Sequence, residues 1–210
     1  VTRKLAACLL AGLAAAPFAA RAQAADGDPK ANIAGLDAAL LTAMKTGSAP
    51  FPSRYQALAP AVDRAFNLRQ VLQTVVGLRW SSIPADQQQK LLGVFRAYTI
   101  ANYAANFDSG SGNQIRILPE IRNVGADRVV ETEIVPASGD PTRLDYVMRQ
   151  FPADDNGGGW QAIDVLETGT ISQVAVQRSD FRSLLSGGAA DLIASLQKKV
   201  DALSGGTIRP

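Results

Sequence analysis

Ser195-Leu196-Gln197-Lys198 and Lys45-Thr46-Gly47 match the S-x-x-K and K-T-G elements of penicillin-recognising enzymes, in which a nucleophilic serine works beside a lysine. Their order is wrong for that chemistry, because K-T-G should come after the serine. Lys45-Thr46-Gly47 reads better as a helix C-terminus with a glycine stop, and Ser195 falls on an amphipathic C-terminal helix. Asp154, Asn156 and Gly159 resemble an acidic calcium loop, but Val165 stands where that loop needs a bidentate Glu, which leaves a hairpin tip. Gly110 and Gly112 form no dinucleotide fingerprint, since no strand precedes them and no helix starts there. The 210 residues include no histidine, and the sole cysteine is Cys8. Histidine-dependent triads, cysteine nucleophiles, Cys/His zinc sites, iron–sulfur clusters and His-ligated haem are thereby excluded, and neither a metal nor a cofactor is expected.

Carboxylates pass this filter. Glu120, Glu131, Glu133, Asp145, Asp164 and Glu167 lie in or next to strand-like runs, and two of them facing across a cleft could do acid–base work. Alternation sets Glu131, Glu133 and Asp145 on the face opposite the apolar one, which reads as a solvated sheet surface. Asp164 shares the parity of Trp160 and Ala162 and so borders the apolar side. A lone acid there reads as a structural hydrogen-bonding group or a partner for an arginine such as Arg178.

Arg3 and Lys4 precede an uncharged Ala/Leu-rich run from Leu5 to Ala20, followed by small-residue sites at Ala20-Arg21-Ala22 and Ala22-Gln23-Ala24. This pattern predicts a secretory signal over residues 1–24, cleaved after Ala22 or Ala24, rather than a membrane anchor, because Pro17 breaks the run. Removing it takes away Arg3, Lys4 and Arg21 and no acid, leaving 18 basic and 19 acidic residues. Without a basic stripe, nucleic-acid binding has no electrostatic basis. The expectation is a soluble, exported protein whose residues 25–210 form a single domain.

The elements that must carry these groups come in two styles. Ile33, Leu36, Leu40, Leu41 and Met44 make one helical stripe, and Leu58, Val62, Ala65 and Phe66 a second. Val71, Leu72, Val75 and Val76 form a third that Gly77 ends, and Leu91, Phe95, Tyr98 and Tyr103 a long fourth that starts at Pro84. From about Gln114 the period changes to two. Ile115 and Ile117, then Val130, Thr132 and Ile134, then Leu144, Tyr146 and Met148 alternate with charged or polar neighbours between turn-forming clusters. A fourth strand follows from about Trp160 to Glu167, and after Gly169 the helical period returns from Ile171 through Val174 and Phe181 to Val200. Helices segregated from an antiparallel meander predict an α+β fold, with helices packed across one face of a curved sheet. Helix stripes and an inner sheet face of this size can enclose an apolar pocket.

The run Arg54-Tyr55-Gln56-Ala57-Leu58-Ala59-Pro60-Ala61-Val62-Asp63-Arg64-Ala65-Phe66, then Val76-Gly77-Leu78-Arg79-Trp80, then Phe95-Arg96-Ala97-Tyr98 with Tyr103, resembles the MlaC family of exported lipid-binding proteins. Leu144-Asp145-Tyr146-Val147-Met148-Arg149, Gly159-Trp160-Gln161-Ala162-Ile163-Asp164-Val165 and Arg178-Ser179-Asp180-Phe181 are similar to the same family in the same order, so that the resemblance covers about Asn32 to Leu203. Val129-Val130-Glu131-Thr132 and Gly139-Asp140-Pro141-Thr142-Arg143-Leu144 suggest its HpnM branch, associated with hopanoids.

The resemblance implies an NTF2-like, MlaC-like architecture with an apolar cavity between helices and sheet. It implies a periplasmic carrier moving a lipid, hopanoid or phospholipid, between inner and outer membranes. The implied partners are an inner-membrane transporter of RND or ABC type and an outer-membrane lipoprotein complex. Candidate lipid-binding walls are Leu72, Val75, Val76, Leu91, Phe95, Tyr98, Ile117, Val130, Ile134, Tyr146, Met148, Ile163, Val165, Ile171 and Val174. Exposing an acyl chain costs roughly 0.8 kcal/mol per CH₂, so such a carrier needs apolar walls and no nucleophile, and no turnover is expected. A carboxylate-dependent hydrolase and a partner-binding domain with a filled core are the alternatives.

Overall fold

The computed structural model describes residues 27–46, 49–108, 112–152 and 158–210. The leader, Gly47, Gly110 and the Asp154–Gly157 part of the calcium-like loop lie outside the described residues. Four helices come first: α1 (Lys30–Lys45), α2 (Phe51–Ala65), α3 (Leu68–Val76) and α4 (Ala85–Asn106). Strands β1 (Gln114–Val124), β2 (Asp127–Val135), β3 (Thr142–Phe151), β4 (Gly159–Glu167) and β5 (Ile171–Ser172) follow, then α5 (Gln173–Leu184) and α6 (Ala189–Ser204). The sheet is an antiparallel meander in the order β1-β2-β3-β4-β5. This is the expected α+β arrangement with one strand more than the alternation suggests.

The extra strand changes the reading of Ile171. A tight turn with Thr168 at φ 51° and Gly169 at φ 74° folds the chain back, so that Ile171 pairs with Glu167 instead of opening a helix. α5 begins two residues later, where the Ser172 side chain accepts a hydrogen bond from Ala175 N–H. Local capping also sets the ends of α3. The Asn67 side chain accepts from Gln70 N–H, and Gly77 at φ 67° ends the helix in a conformation that side chains with a Cβ disfavour.

Helices cover the face of the sheet that bears Val130, Tyr146, Met148 and Ala162, all essentially inaccessible. α4 runs through the centre of this layer, packed on α2 and α6. The joint between α2 and α3 is fixed to β4: Asn67 N–H donates to Ala162 C=O at 3.0 Å, and Asn67 Nδ2 donates to Gln161 Oε1 at 3.1 Å. This joint lies along the part of the β4 edge that β5 leaves open and takes up the carbonyl of Ala162 there.

The opposite face is charged, as the alternation requires, yet it is not a simply solvated surface. Asp145 is 0% exposed. Arg143 Nε donates to its Oδ1 at 2.7 Å, Arg122 Nη2 to its Oδ2 at 3.3 Å, and both arginines also reach Glu131. Arg116 bonds Glu133 and Arg149 bonds Asp127, so carboxylate–guanidinium pairs extend across the face from β1 to β3. Alternation fixes which face a carboxylate lies on, while the long arginine side chains decide how much water still reaches it.

Candidate functional site

Between α4 and the inner face of the sheet lies a cavity of about 480 Å³, within the size range of small-ligand pockets. One stripe of α4 supplies Phe95, Thr99, Asn102, Tyr103 and Asn106, positions that helical spacing stacks on one side, with Phe107 just beyond. The α2–α3 joint supplies Phe66, Leu68 and Val71, and the start of α5 supplies Gln173, Val174 and Gln177. From the sheet come Ile134 and Thr142, directly paired across β2 and β3, together with Leu144, Asp164, Val165 and Glu167. Met44 at the end of α1 and Asn113 complete the wall.

Polarity changes along this wall. Its buried members, Met44, Phe66, Leu68, Val71, Phe95 and Val174, are all apolar, whereas its exposed members, Asn106, Thr142 and Glu167, are all polar. The floor is aromatic: Phe66 lies 5.9 Å from Tyr103 and 6.2 Å from Tyr146, and Tyr103 stacks on Phe107 at 5.8 Å. Burial pushes the phenols of Tyr103 and Tyr146 above their ordinary range, and their mutual hydrogen bond spares each an unpaired hydroxyl. Both phenols therefore stay protonated and uncharged near neutral pH.

Asp164 reaches the cavity by a route that parity does not anticipate. Met148 pairs with Ala162 and Val147 with Asp164, so Ile163 is an inserted bulge residue. Beyond it Val165, opposite Tyr146, continues the face of Trp160 and Ala162, and Asp164 turns toward the β5–α5 junction. Its carboxylate accepts from Val165 N–H at 2.8 Å, Val174 N–H at 3.0 Å and the Ser172 hydroxyl at 2.5 Å. This is the structural hydrogen-bonding role that the sequence suggests for a lone acid at this position. Arg178 instead lies against Gly77, its Nη2 about 3.3 Å from where a Cβ on that glycine would stand.

Of the candidate wall residues, Phe95, Ile134, Val165 and Val174 line the cavity. Leu72, Val75, Val76, Leu91, Val130, Tyr146 and Met148 are buried in the surrounding core, and Ile117 packs against its edge. Tyr98 faces α6, where Lys199 Nζ sits 5.5 Å from its ring centre. Ile163 is half-buried in the bulge, and Ile171 is 50% exposed on the sheet edge. Met44, Phe66, Val71 and Tyr103, on helix stripes visible in the sequence, and Leu144, on the inner parity of β3, join the wall although periodicity marks them only as inward-facing. The polar members Thr99, Asn102, Asn106, Asn113, Gln173 and Gln177 carry no signal beyond their positions. The S-x-x-K pair stands on α6, with Ser195 half-buried and Lys198 exposed, outside the cavity wall.

No curated protein matches the chain. Among solved structures it is similar to a phospholipid-binding protein from Ralstonia solanacearum determined in complex with a phospholipid. The two are 20% identical with a TM-score of 0.70, over 84% of this chain and 99% of the other. That likeness shows a shared fold. The family model described as MlaC protein matches residues 36–198, from within α1 to the body of α6, a span that includes every residue named in the cavity wall, and the chain belongs to the MlaC family.

Proposed function

We propose that this protein is a periplasmic lipid carrier that holds the apolar part of a lipid in the cavity and leaves the polar head at the rim. The observation that carries this reading is the gradient along the wall, from six buried apolar residues to three exposed polar ones. A lipid has the same gradient, and each methylene withdrawn from water contributes roughly 0.8 kcal/mol to retention. The structurally similar Ralstonia solanacearum protein, which was solved with a phospholipid, supports the same reading.

In this reading residues 1–24 direct export and are removed, and residues 25–210 carry the lipid. A hopanoid or a phospholipid is shuttled between inner and outer membranes, received from or handed to an inner-membrane transporter of RND or ABC type and an outer-membrane lipoprotein complex. No described helix is long and apolar enough to cross a membrane. The protein releases its lipid chemically unchanged: of the two carboxylates in the wall, Asp164 is committed to three structural hydrogen bonds and Glu167, at the exposed rim, accepts from Gln173. Native mass spectrometry of protein purified from the periplasm tests the reading, with solvent extraction to identify the cargo. A one-to-one lipid adduct is expected, and protein that never carries lipid would sink the proposal.

A further inference from the structure

We infer that the cavity selects a lipid whose head has hydroxyl or ammonium donors and no net negative charge, and discriminates against an anionic phosphate head. The inference rests on the lipid-carrier reading and adds to it the chemical class of the head. The charged groups in the wall are Asp164 and Glu167, both acids, and no lysine or arginine lines the cavity among the described residues. Glu167 is exposed at the rim, where Gln173 Nε2 donates to its Oε2 at 2.7 Å. The other rim groups, Asn106 and Thr142, both donate and accept, so the charge of the rim is set by Glu167.

The nearest arginine in sequence to this rim does not serve a phosphate there. Arg143, between Thr142 and Leu144, projects to the opposite face of the sheet and is held by Asp145 and Glu131. The arginines that could suit a phosphate, Arg64 and Arg69, line a separate surface cleft together with Arg96, whose guanidinium is already bonded to Asp63. Phe66 and Leu68 belong to the walls of both that cleft and the cavity, and so stand between them. An anionic head at the cavity rim meets the like charge of Glu167 and no cation among the described residues, whereas the donors of a neutral or amine head meet a carboxylate that can receive them.

The test loads delipidated mature protein from vesicles holding equal amounts of dipalmitoylglycerol and dipalmitoylphosphatidylglycerol, which share their acyl chains and differ in head charge. Bound lipids are counted by native mass spectrometry. The neutral lipid should be enriched about tenfold, and Glu167→Lys should remove most of that enrichment while circular dichroism and the thermal midpoint stay as in the parent. Equal or greater retention of the anionic lipid overturns the inference and leaves the carrier reading standing. Retention of the anionic lipid that falls when Arg64 and Arg69 are changed to Ala overturns it too, by placing the head in the other cleft. If neither lipid is retained, both readings fall.

Discussion

Asp37 sits on α1 with 6% of its surface exposed, and neither carboxylate oxygen has a hydrogen-bond partner among the described residues. Burial raises its pKa to about 7, and its field extends to the phenols of Tyr103 and Tyr146 under the cavity floor. An acid whose folded pKa lies above its unfolded value stabilises the fold while it is protonated, so the native state binds more protons than the unfolded chain between about pH 4 and the folded pKa. Stability is therefore lost as pH rises through that window and is flat above it. The full loss attached to this one group is on the order of 4 kcal/mol. Urea titrations from about pH 4 to pH 8 should show it, and Asp37→Leu should flatten the profile and raise stability at the alkaline end. A difference between wild type and Asp37→Leu that stays constant over this range would contradict the assignment. Asp164 differs in its hydrogen bonding, with three donors on its oxygens. Asp164 stands out in the sequence because it lies in a strand where parity can be counted. Asp37 carries no such signal, since one acid in a helix stripe reads as a boundary residue until its neighbours are known.

The sheet shows how a regular element can be legible in pattern and still be altered by one residue. Alternation in β2 and β3 assigns Val130, Tyr146 and Met148 to the inner face and Glu131 and Asp145 to the outer one, and the structure agrees. In β4 the counting breaks at the single inserted residue Ile163, whereas in β1 two extra residues around Pro119, between Ile117 and Ile121, interrupt the ladder and leave the parity unchanged. Pro119 cannot donate to a ladder, and its carbonyl is taken by Lys30 Nζ at 2.6 Å, so the irregularity in β1 has a visible cause in the sequence. Ile163 gives no such sign, because a bulge is set by how two strands must twist together. The outer-face network yields a prediction at this scale. Arg143→Met keeps most of the side-chain volume but leaves the fully buried Asp145 with Arg122 alone, at 3.3 Å. Removing one partner of a buried charge costs more than the pair contributes, so a loss of about 2 kcal/mol is expected by urea unfolding. The double change Arg143→Met with Asp145→Leu should recover part of it. Additive losses would show that the two side chains act independently.

For the molecule as a whole, the sequence is informative about layers and much less so about the space between them. Periodicity tells which side of a helix or strand turns inward, but a core side chain and a cavity wall residue both turn inward. That is why Val130 and Ile134, two periods of alternation apart on one face of β2, look alike in the sequence although one is sealed in the core and the other borders the cavity. The difference depends on where α4 and α5 diverge from the sheet, a relation among several elements rather than a property of any one. Adding bulk separates the two situations. Tryptophan at position 130 has no free volume to enter, and overpacking a closed core costs about 1–3 kcal/mol. At position 134 the same ring can extend into the 480 Å³ space and bury itself without displacing a neighbour. Val130→Trp should therefore lower the thermal midpoint by several degrees, whereas Ile134→Trp should leave it within about two degrees of the parent. Because the introduced indole would occupy the volume assigned to the lipid, the Ile134→Trp protein should also be purified with much less lipid than the parent, as counted by native mass spectrometry. A well-folded Ile134→Trp protein that retains a full complement of lipid would mean that the cargo lies elsewhere in the molecule, since the ring and an acyl chain cannot fill the same end of one cavity.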